Sequence, residues 1–545
     1  MILSTLLVVL GLAVIRLVWH IISRFVFSSP LDNVPAPPAP SFFTGQCVSL
    51  VHLGPLLTVS RSPIHASADG SVVRLRGLLG ERQLYVSDPK ALHNIVVKDM
   101  HIFEEHPQFL SSNSIIFGQG LLSTIGDHHK KQRKLMNPVF SIAHMRNMIP
   151  LFQDVISALR ATLEEQTEKG AKEIDMLHWT SRTALELIGR TGLGYSFDTL
   201  KADAVVHPYA ATLKELVPAM FRMFLVRVYV IPKVYNIGPA WFRRAVVNLV
   251  PLRDVRIIRD GIDLMWRTSN EIYAQKKAAL AAGDDAVAKQ VGHGRDILSL
   301  LMRANMKSED PLDEQELLGQ MSTLIFAAMD TTSSALVRIL QLLAEHPDVQ
   351  DRLRSEIRAA KKEHGVLSYD ELEAMQYLDA VCRETLRMFV LSYLPSLRTR
   401  QDVVMPLGTP ITGLDGQSLS EVFVPNGTPI IISVININRS TKIWGPDAKE
   451  WKPERWLAPL PEAVADAHVP GIYSNLMTFL GGGRSCIGFK FSQLEMKVVL
   501  SELVDAFQFS PSKQSVQWRM SNIVSAYVES EPDKTQLPIV VSRAP

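Results

Sequence analysis

Apolar and polar positions divide the chain into a hydrophobic leader, a short stretch with strand-like alternation and a long series of segments with helical spacing. Residues 2–22 are almost wholly apolar, and a run of this length is about long enough to cross a bilayer. Alternating runs at 72–77 and 83–86 predict a small sheet, whereas most later segments repeat their apolar residues at helical intervals. We therefore expect a mainly α protein with a minor β region, preceded by one N-terminal transmembrane helix.

The leader has the charge pattern of a retained anchor. No positive residue precedes the apolar run, where a cleaved signal peptide would be expected to carry one. Trp19, His20 and Arg24 suit a membrane interface at the end of the run, and Arg16 is close enough to that end to reach the headgroups. Positive charge after the run favours a cytosolic location for the remaining chain.

A proline-dense spacer follows the leader. Prolines fix φ and favour an extended, semi-rigid segment. The sequence therefore predicts a membrane anchor at 1–28 and a hinge at 29–42, and by length alone residues 43–545 could form several domains or one large unit.

Composition narrows the classes of function. Apolar residues make up 47% of the 545 residues and charged residues 21%, which is typical of a packed globular protein. A net charge of +2 gives no case for binding nucleic acid. The three cysteines, Cys47, Cys382 and Cys486, are too few for a disulfide framework, and we assign no chemistry to the first two.

A long helix is predicted between Asp313 and Pro347. Residues 313–316 have the spacing of a capping box, and helical periodicity continues from there to the proline. About thirty residues at 1.5 Å each give a rod of roughly 45–50 Å, long enough to cross a whole domain. Thr331 and Thr332 stand in its middle, where their hydroxyls compete for backbone carbonyls.

Residues 479–488 place four glycines around one cysteine and one arginine, directly before a segment with helical periodicity. Glycine lets the backbone approach a flat ligand closely, and a cysteine at a helix N-terminus is favoured as a thiolate. Such a thiolate is a soft axial ligand for iron, and Arg484 is placed to pair with an anionic group on the same ligand. The alternative is a buried, inert cysteine in a glycine-rich turn.

The order Phe-x-x-Gly-x-Arg-x-Cys-x-Gly, present at Phe479, Gly482, Arg484, Cys486 and Gly488, resembles the haem-binding loop of the cytochrome P450 superfamily. The resemblance implies the cytochrome P450 fold around a buried haem b (iron protoporphyrin IX). It makes Cys486 the proximal ligand of the metal, puts Arg484 on a haem propionate and lets Phe479 shield the sulfur. Residues 43–545 would then form one haem-thiolate catalytic domain, preceded by the hinge of a microsomal member.

Further motifs follow in the family's order. The sequence Ala-Ala-Met-Asp-Thr-Thr at 327–332 resembles the oxygen-binding groove, which makes Asp330 and Thr331 the catalytic acid–alcohol pair. Ala328 replaces the usual glycine. In the basic segment 126–138, Arg133 matches a propionate-binding arginine, and His129 stands where tryptophan is usual.

Two sets of residues complete the resemblance. Glu384, Arg387 and Arg455 are similar to the buried charge network behind the haem. Arg398 matches an arginine that binds a propionate from a strand lining the pocket, and Arg400 is a close rival for that role.

By resemblance the protein is a monooxygenase that inserts one oxygen atom from O₂ into an apolar small molecule, by hydroxylation or epoxidation. Electrons would come from NADPH through NADPH–cytochrome P450 reductase, with cytochrome b5 as a further partner. The location implied is the endoplasmic reticulum membrane, with a single span and a cytosolic catalytic domain. Motif variants similar to those of fungal members point to secondary metabolism such as terpenoid tailoring.

Two alternatives remain open at this point. One is a haem-thiolate isomerase or dehydratase that acts on peroxides without a reductase; the pair Asp330–Thr331 argues against it. The other is a non-catalytic, membrane-tethered protein that binds haem or lipid.

Overall fold

The structure is a computed structural model that describes residues 11, 19, 22–38, 41, 71–389, 396–521 and 523–545. Most of the predicted anchor, the end of the predicted hinge and Cys47 lie outside the described residues. The described residues are mainly helical with minor sheets, as the hydrophobic pattern predicts.

The α-helices account for most of the described chain. In chain order they are α1 (Pro89–His93), α2 (Pro107–Phe117), α3 (Gly126–Met136), α4 (Ile142–Gln166), α5 (Met176–Leu187), α6 (Pro208–Arg222), α7 (Phe224–Tyr229), α8 (Ile231–Val234), α9 (Ala240–Leu249), α10 (Arg253–Ala282), α11 (Asp284–Ala288), α12 (Ile297–Met306), α13 (Glu314–Glu345), α14 (Pro347–His364), α15 (Tyr369–Ala374), α16 (Gln376–Met388), α17 (Val434–Asn438), α18 (Thr441–Trp444), α19 (Glu462–Asp466) and α20 (Phe489–Ala506).

The strands form small sheets. They are β1 (Val72–Arg76), β2 (Arg82–Val86), β3 (Phe103–Glu105), β4 (Lys172–Asp175), β5 (Ser396–Thr399), β6 (Val403–Thr412), β7 (Ser418–Val424), β8 (Pro429–Ile432), β9 (Phe507–Pro511), β10 (Val516–Ser521), β11 (Ile523–Val528) and β12 (Pro538–Arg543). One sheet has the order β1-β2-β8-β5-β3, another has the order β4-β12-β9, and β6–β7 and β10–β11 are two-stranded.

Chain contacts divide the described residues into two compact units. Unit 1 contains those within 1–106, 394–448 and 461–484, and unit 2 contains those within 107–393, 449–460 and 485–545. Unit 1 is built on the five-stranded sheet, in which β2 and β8 are parallel and the other pairs are antiparallel. Buried side chains of Val73, Leu75, Tyr85 and Ile431 form a core cluster on it.

The start of the predicted hinge is folded onto unit 1. Ser29 and Asp32 form a reciprocal capping box around a short 3₁₀ helix, Pro30–Asn33, where the proline content predicts an extended chain. The Asp32 carboxylate accepts hydrogen bonds from Nε and Nη2 of Arg82, both at 2.8 Å, and it also pairs with Arg74. These ion pairs to β1 and β2 hold the turn in place. The prolines alone do not predict this folded turn, because it depends on contacts with distant residues.

Unit 2 is organised around α13. The capping box predicted at its start is present, with Asp313 and Glu316 each bonding the other's backbone N–H. Of the helices within the described ranges, α13 is long and apolar enough to cross a membrane, but 67% of its most apolar stretch is buried inside the protein. Its hydrophobicity is therefore that of a core helix.

Glu495 on α20 is a fully buried acid. Its side chain has no accessible surface, and neither carboxyl oxygen has a hydrogen-bond partner within the part of the chain that the structure describes. Burial raises the pKa of Glu495 well above its ordinary value of 4.5, because an ionised carboxylate there would lose its hydration without compensation. Glu495 is therefore held in its protonated form in the folded state.

The protonation of Glu495 predicts a pH-dependent gain from Glu495→Gln. Above pH 4.5 the folded wild type keeps a proton that the unfolded chain releases, so its stability falls as pH rises. The fall is at most about 1.4 kcal/mol per pH unit, and the glutamine variant lacks it. We expect the thermal midpoint of the variant, relative to wild type, to rise steadily from pH 5 to pH 8 when both are followed by circular dichroism at one scan rate.

Glu502→Gln is the matched control, because Glu502 lies on the same helix, is accessible to solvent and pairs with Lys361 at 2.7 Å. That variant should show no such gain. Parallel stability curves for wild type and Glu495→Gln would contradict the assignment of a proton to Glu495.

Candidate functional site

Cys486 lies just before α20, in the glycine-rich segment that the sequence singles out. The helix begins at Phe489 with Gly488 as its N-cap, so the cysteine precedes the cap by two residues. Its side chain has accessible surface. A side chain built on Gly488 would meet no atom within 4 Å, so the space beside this turn is open.

Protein atoms nevertheless surround the thiol closely enough to change its acidity. Burial raises the pKa of Cys486, while the backbone N–H of Gly488 and the charge of Arg133 act in the opposite direction. A thiol on an exposed residue, with a backbone N–H and a cation near it, suits a soft metal ion that would replace the proton.

Arg133 is held beside the cysteine turn in unit 2. It extends from α3, and its guanidinium donates to the carbonyl oxygen of Ser485 at 2.6 Å and to the Ser485 hydroxyl at 3.0 Å. His129, one helical turn earlier, is buried with 4% of its surface exposed. The structure therefore brings Arg133 together with the residue adjacent to Cys486.

The first part of the motif belongs to unit 1, where it forms a tight turn. Gly482 has φ of +63°, and a Cβ there would lie 1.6 Å from the carbonyl oxygen of Val96, so no other residue fits without moving the backbone. Phe479 makes an edge-to-face contact with Tyr473, with ring centroids 5.6 Å apart.

Arg484 has a protein carboxylate as a partner. Its Nη2 donates to Oε2 of Glu104 on β3 at 2.9 Å. Glu104 also stands opposite Arg398 in the β3–β5 register, so it neighbours a second arginine singled out in the sequence. Sequence reasoning missed Glu104; the only signal was a pair of acids directly after the apolar residues Ile102 and Phe103.

The two rival arginines of this region have different surroundings. Arg398 is half-buried, and its Nε donates to the carbonyl oxygen of Gly427 at 2.8 Å. Arg400 is exposed and donates to the backbone carbonyl oxygen of Glu105 at 3.0 Å.

The Glu105 carboxyl has a shifted acidity. Burial raises the pKa of the Glu105 carboxyl to about 7, with the charge of Arg484 opposing the rise and that of Glu104 adding to it.

Asp330 and Thr331 lie where α13 loses its burial. Residues 326–328, 330 and 331 are accessible or half-buried in a helix whose flanking residues are buried. The Thr331 hydroxyl donates to the carbonyl oxygen of Ala327 at 2.7 Å, as its mid-helix position predicts. On this side of the helix the described residues therefore cover α13 only in part.

Asp330 lines a small cavity that it shares with Lys214 of α6. Ser181, Ser334 and Thr535 also line the cavity, whose volume available to the centres of water molecules is about 20 Å³. One water needs roughly 10–15 Å³ on this measure, so the cavity can hold water. Within the described residues, neither the Asp330 carboxylate nor the Lys214 ammonium has a direct hydrogen-bond or ion-pair partner.

The two groups of this cavity have shifted acidities. Burial raises the pKa of Asp330 to about 6, and the charge of Lys214 limits the rise. Burial likewise lowers the pKa of Lys214, against the charges of Asp175 and Asp330. Sequence reasoning singled out Asp330 but not Lys214, because no local pattern links residues that far apart.

The charge network expected behind the site is present in unit 2. Glu384 is fully buried, and its carboxylate accepts from Nε and Nη2 of Arg387 at 2.8 and 2.7 Å. Arg455, Trp456 and the backbone N–H of Lys452 also donate to it, at 3.4, 3.0 and 3.0 Å. Because both carboxylate oxygens of Glu384 accept hydrogen bonds, the network has a structural role.

Comparisons with known proteins agree on one family. A family model of cytochrome P450 matches residues 66–537. Cytochrome P450 monooxygenase 91 of Postia placenta is 48% identical over 529 residues, which cover 96% of each chain. Ganoderic acid synthetase of Ganoderma lucidum is 41% identical over 95% of this chain and 94% of its own, and a cytochrome P450 monooxygenase of Hericium erinaceus is 38% identical over 98% and 97%.

Proposed function

The chain belongs to the cytochrome P450 family, and from this premise we propose that it hydroxylates or epoxidises an apolar small molecule in fungal secondary metabolism, such as a terpenoid. As a member of the family it is a haem-dependent monooxygenase that receives electrons from a redox partner. NADPH, delivered through NADPH–cytochrome P450 reductase with cytochrome b5 as a second donor, is the proposed source of those electrons.

The accessible thiol of Cys486 is the observation that carries the proposal. The exposed side chain of Cys486 and the open space at Gly488 leave room for a cofactor beside the thiol, and the nearby N–H and cation fit a thiolate. When bound, the haem supplies reductive activation of O₂ at an iron whose thiolate ligand favours O–O cleavage.

Cys486 would hold the iron of that haem. Arg484, Arg133 and His129 would bind the haem propionates, with Arg398 preferred to Arg400 because it is less exposed. Phe479 would cover the sulfur, and Gly482 and Gly488 would keep the loop close to the haem face. Each of these residues is a donor, a cation or a small or aromatic group suited to its role.

Asp330 and Thr331 are the proposed catalytic pair for proton delivery. The Thr331 hydroxyl, on the open side of α13, would donate a proton near the reacting oxygen and recover one through water. Asp330 would supply it, since a carboxyl with a pKa of about 6 gains and loses a proton readily near neutral pH. The cavity with Lys214, which has room for water, supports proton entry from this side of the helix.

An apolar substrate and a membrane location are supported by one surface of unit 2. Exposed large hydrophobic residues concentrate between 225 and 252, on α7, α8 and α9 and the turns that join them: Leu225, Val230, Ile237, Trp241, Val246, Leu249 and Leu252. A surface of this kind suits contact with lipid, from which an apolar substrate would enter. The name of the Ganoderma lucidum relative supports a terpenoid in particular. The endoplasmic reticulum membrane, with one N-terminal span, is the proposed location.

The ligand assignment predicts the spectrum of Cys486→Ser. Serine is a poor, hard ligand for haem iron, so the red-shifted Soret band of the reduced carbon-monoxide complex should disappear. Cys382→Ser is the control, because Cys382 is buried on α16 and should leave the band unchanged. Retention of the band in Cys486→Ser would assign the iron to another ligand.

The proton-delivery assignment predicts uncoupling in Thr331→Ala. NADPH and O₂ consumption should continue, while product per NADPH falls by about tenfold or more and hydrogen peroxide rises in proportion. Thr332→Ala, at the buried neighbouring position, should stay near wild type. Unchanged coupling in Thr331→Ala would remove this hydroxyl from the role.

The substrate assignment predicts oxidation of terpenoids. Microsomes containing the protein and its reductase, given a panel of triterpenoids and smaller terpenoids, should form products 16 mass units heavier only when NADPH is present. Products formed from peroxides without NADPH would instead support an isomerase. Failure to consume O₂ across the panel and other apolar compounds would support a non-catalytic binding protein.

A further inference from the structure

Unit 1 pairs one carboxylate with an arginine for which we propose a role in haem binding. Glu104 Oε2 accepts a hydrogen bond from Arg484 Nη2 at 2.9 Å, and the two side chains are 11% and 17% exposed. The β3–β5 register sets Glu104 opposite Arg398. The pair is thus largely withdrawn from solvent, where charge interactions are stronger than at the surface.

The neighbouring acid, Glu105, acts on Arg484 through its charge, whereas Glu104 also accepts a hydrogen bond from it. Successive residues of a strand point to opposite faces, so Glu105 does not share the position of Glu104. Arg400 bonds the backbone carbonyl of Glu105 and not a carboxylate. The Glu104 carboxylate, by contrast, is bonded directly to the Arg484 guanidinium.

A carboxylate at this position has two physical effects on an anion-binding arginine. It fixes the direction of the guanidinium, which is planar and donates in fixed directions. It also offsets the positive charge that an anionic ligand would meet. An ion pair with a purely structural role would only hold the guanidinium in place. Removing it would then change the stability of the protein and leave the bound ligand unaffected.

We propose that Glu104 is a positioning residue that orients Arg484 for a haem propionate and that its negative charge shifts the haem equilibrium toward the ferric state. This rests on the proposed function, in which Arg484 binds the haem. The sign follows from Coulomb's law, because reduction adds an electron and a nearby negative charge opposes it. Removing the charge therefore favours the ferrous state.

The test compares the full-length holoprotein with Glu104→Gln and Glu104→Asp. In Glu104→Gln, the ferrous-to-ferric ratio at a fixed solution potential should rise three- to tenfold in a dye-mediated titration; tenfold corresponds to about 59 mV for one electron. Transfer of haem to an acceptor protein should also quicken several-fold, because Arg484 loses its fixed direction. Glu104→Asp keeps the charge but shortens the reach, so its potential should stay near wild type while its haem loss quickens.

Glu81→Gln is the matched control, since Glu81 also belongs to unit 1 but pairs with Arg24, at 3.9 Å. It should change neither measurement. If wild type shows the reduced carbon-monoxide band but Glu104→Gln is unchanged in both potential and haem loss, the role of Glu104 is overturned while the haem assignment stands. Wild type without that band would overturn the haem assignment and this inference together.

Should Glu104→Gln fail to fold, Glu104→Asp decides the question. Faster haem loss at an unchanged potential supports positioning through Arg484, and haem loss equal to that of wild type overturns it.

Discussion

The cost of burying a charge without a partner governs the interior of this protein. Glu384 is the clearest case, because a carboxylate with no accessible surface receives donors from α16 and from the segment 449–460. Removing one partner of such a network costs about 3–5 kcal/mol, a large share of the stability of a folded domain. The segment that carries Arg455 is therefore fixed against α16 by electrostatics as well as by packing.

The same cost separates charges that build the fold from charges that are available for chemistry. Arg182 and Asp198 form a bidentate pair with both bonds at 2.7 Å, and both side chains are buried. Asp330 and Lys214 share a cavity and lack such a partner within the described ranges. Burial therefore shifts the pKa of each group toward neutral pH, upward for Asp330 and downward for Lys214. We propose proton transfer at these two groups, whose charges are not neutralised by a direct ion pair.

Local patterns made much of this structure predictable. The capping box at Asp313 and the face shared by Glu384 and Arg387 depend only on spacing within one helix, and both are present. Glu104 and its partner Arg484 are 380 residues apart, and their contact depends on how a strand and a loop meet in unit 1. Lys214 reaches the cavity of Asp330 through the packing of α6 in the same way. Contacts of this kind need tertiary structure, because no local periodicity encodes them.

The capped turn at Ser29 determines how short the chain can be made. Asp32 bonds Arg82 and Arg74, which lie on the first two strands of unit 1. Deleting the hydrophobic leader by a cut after residue 32 would leave two neighbouring guanidinium groups without their common carboxylate, and they would repel each other. A cut ahead of Ser29 keeps the whole turn. The safe starting point of a leaderless, crystallisable version is thus set by ion pairing and not by where the apolar run ends.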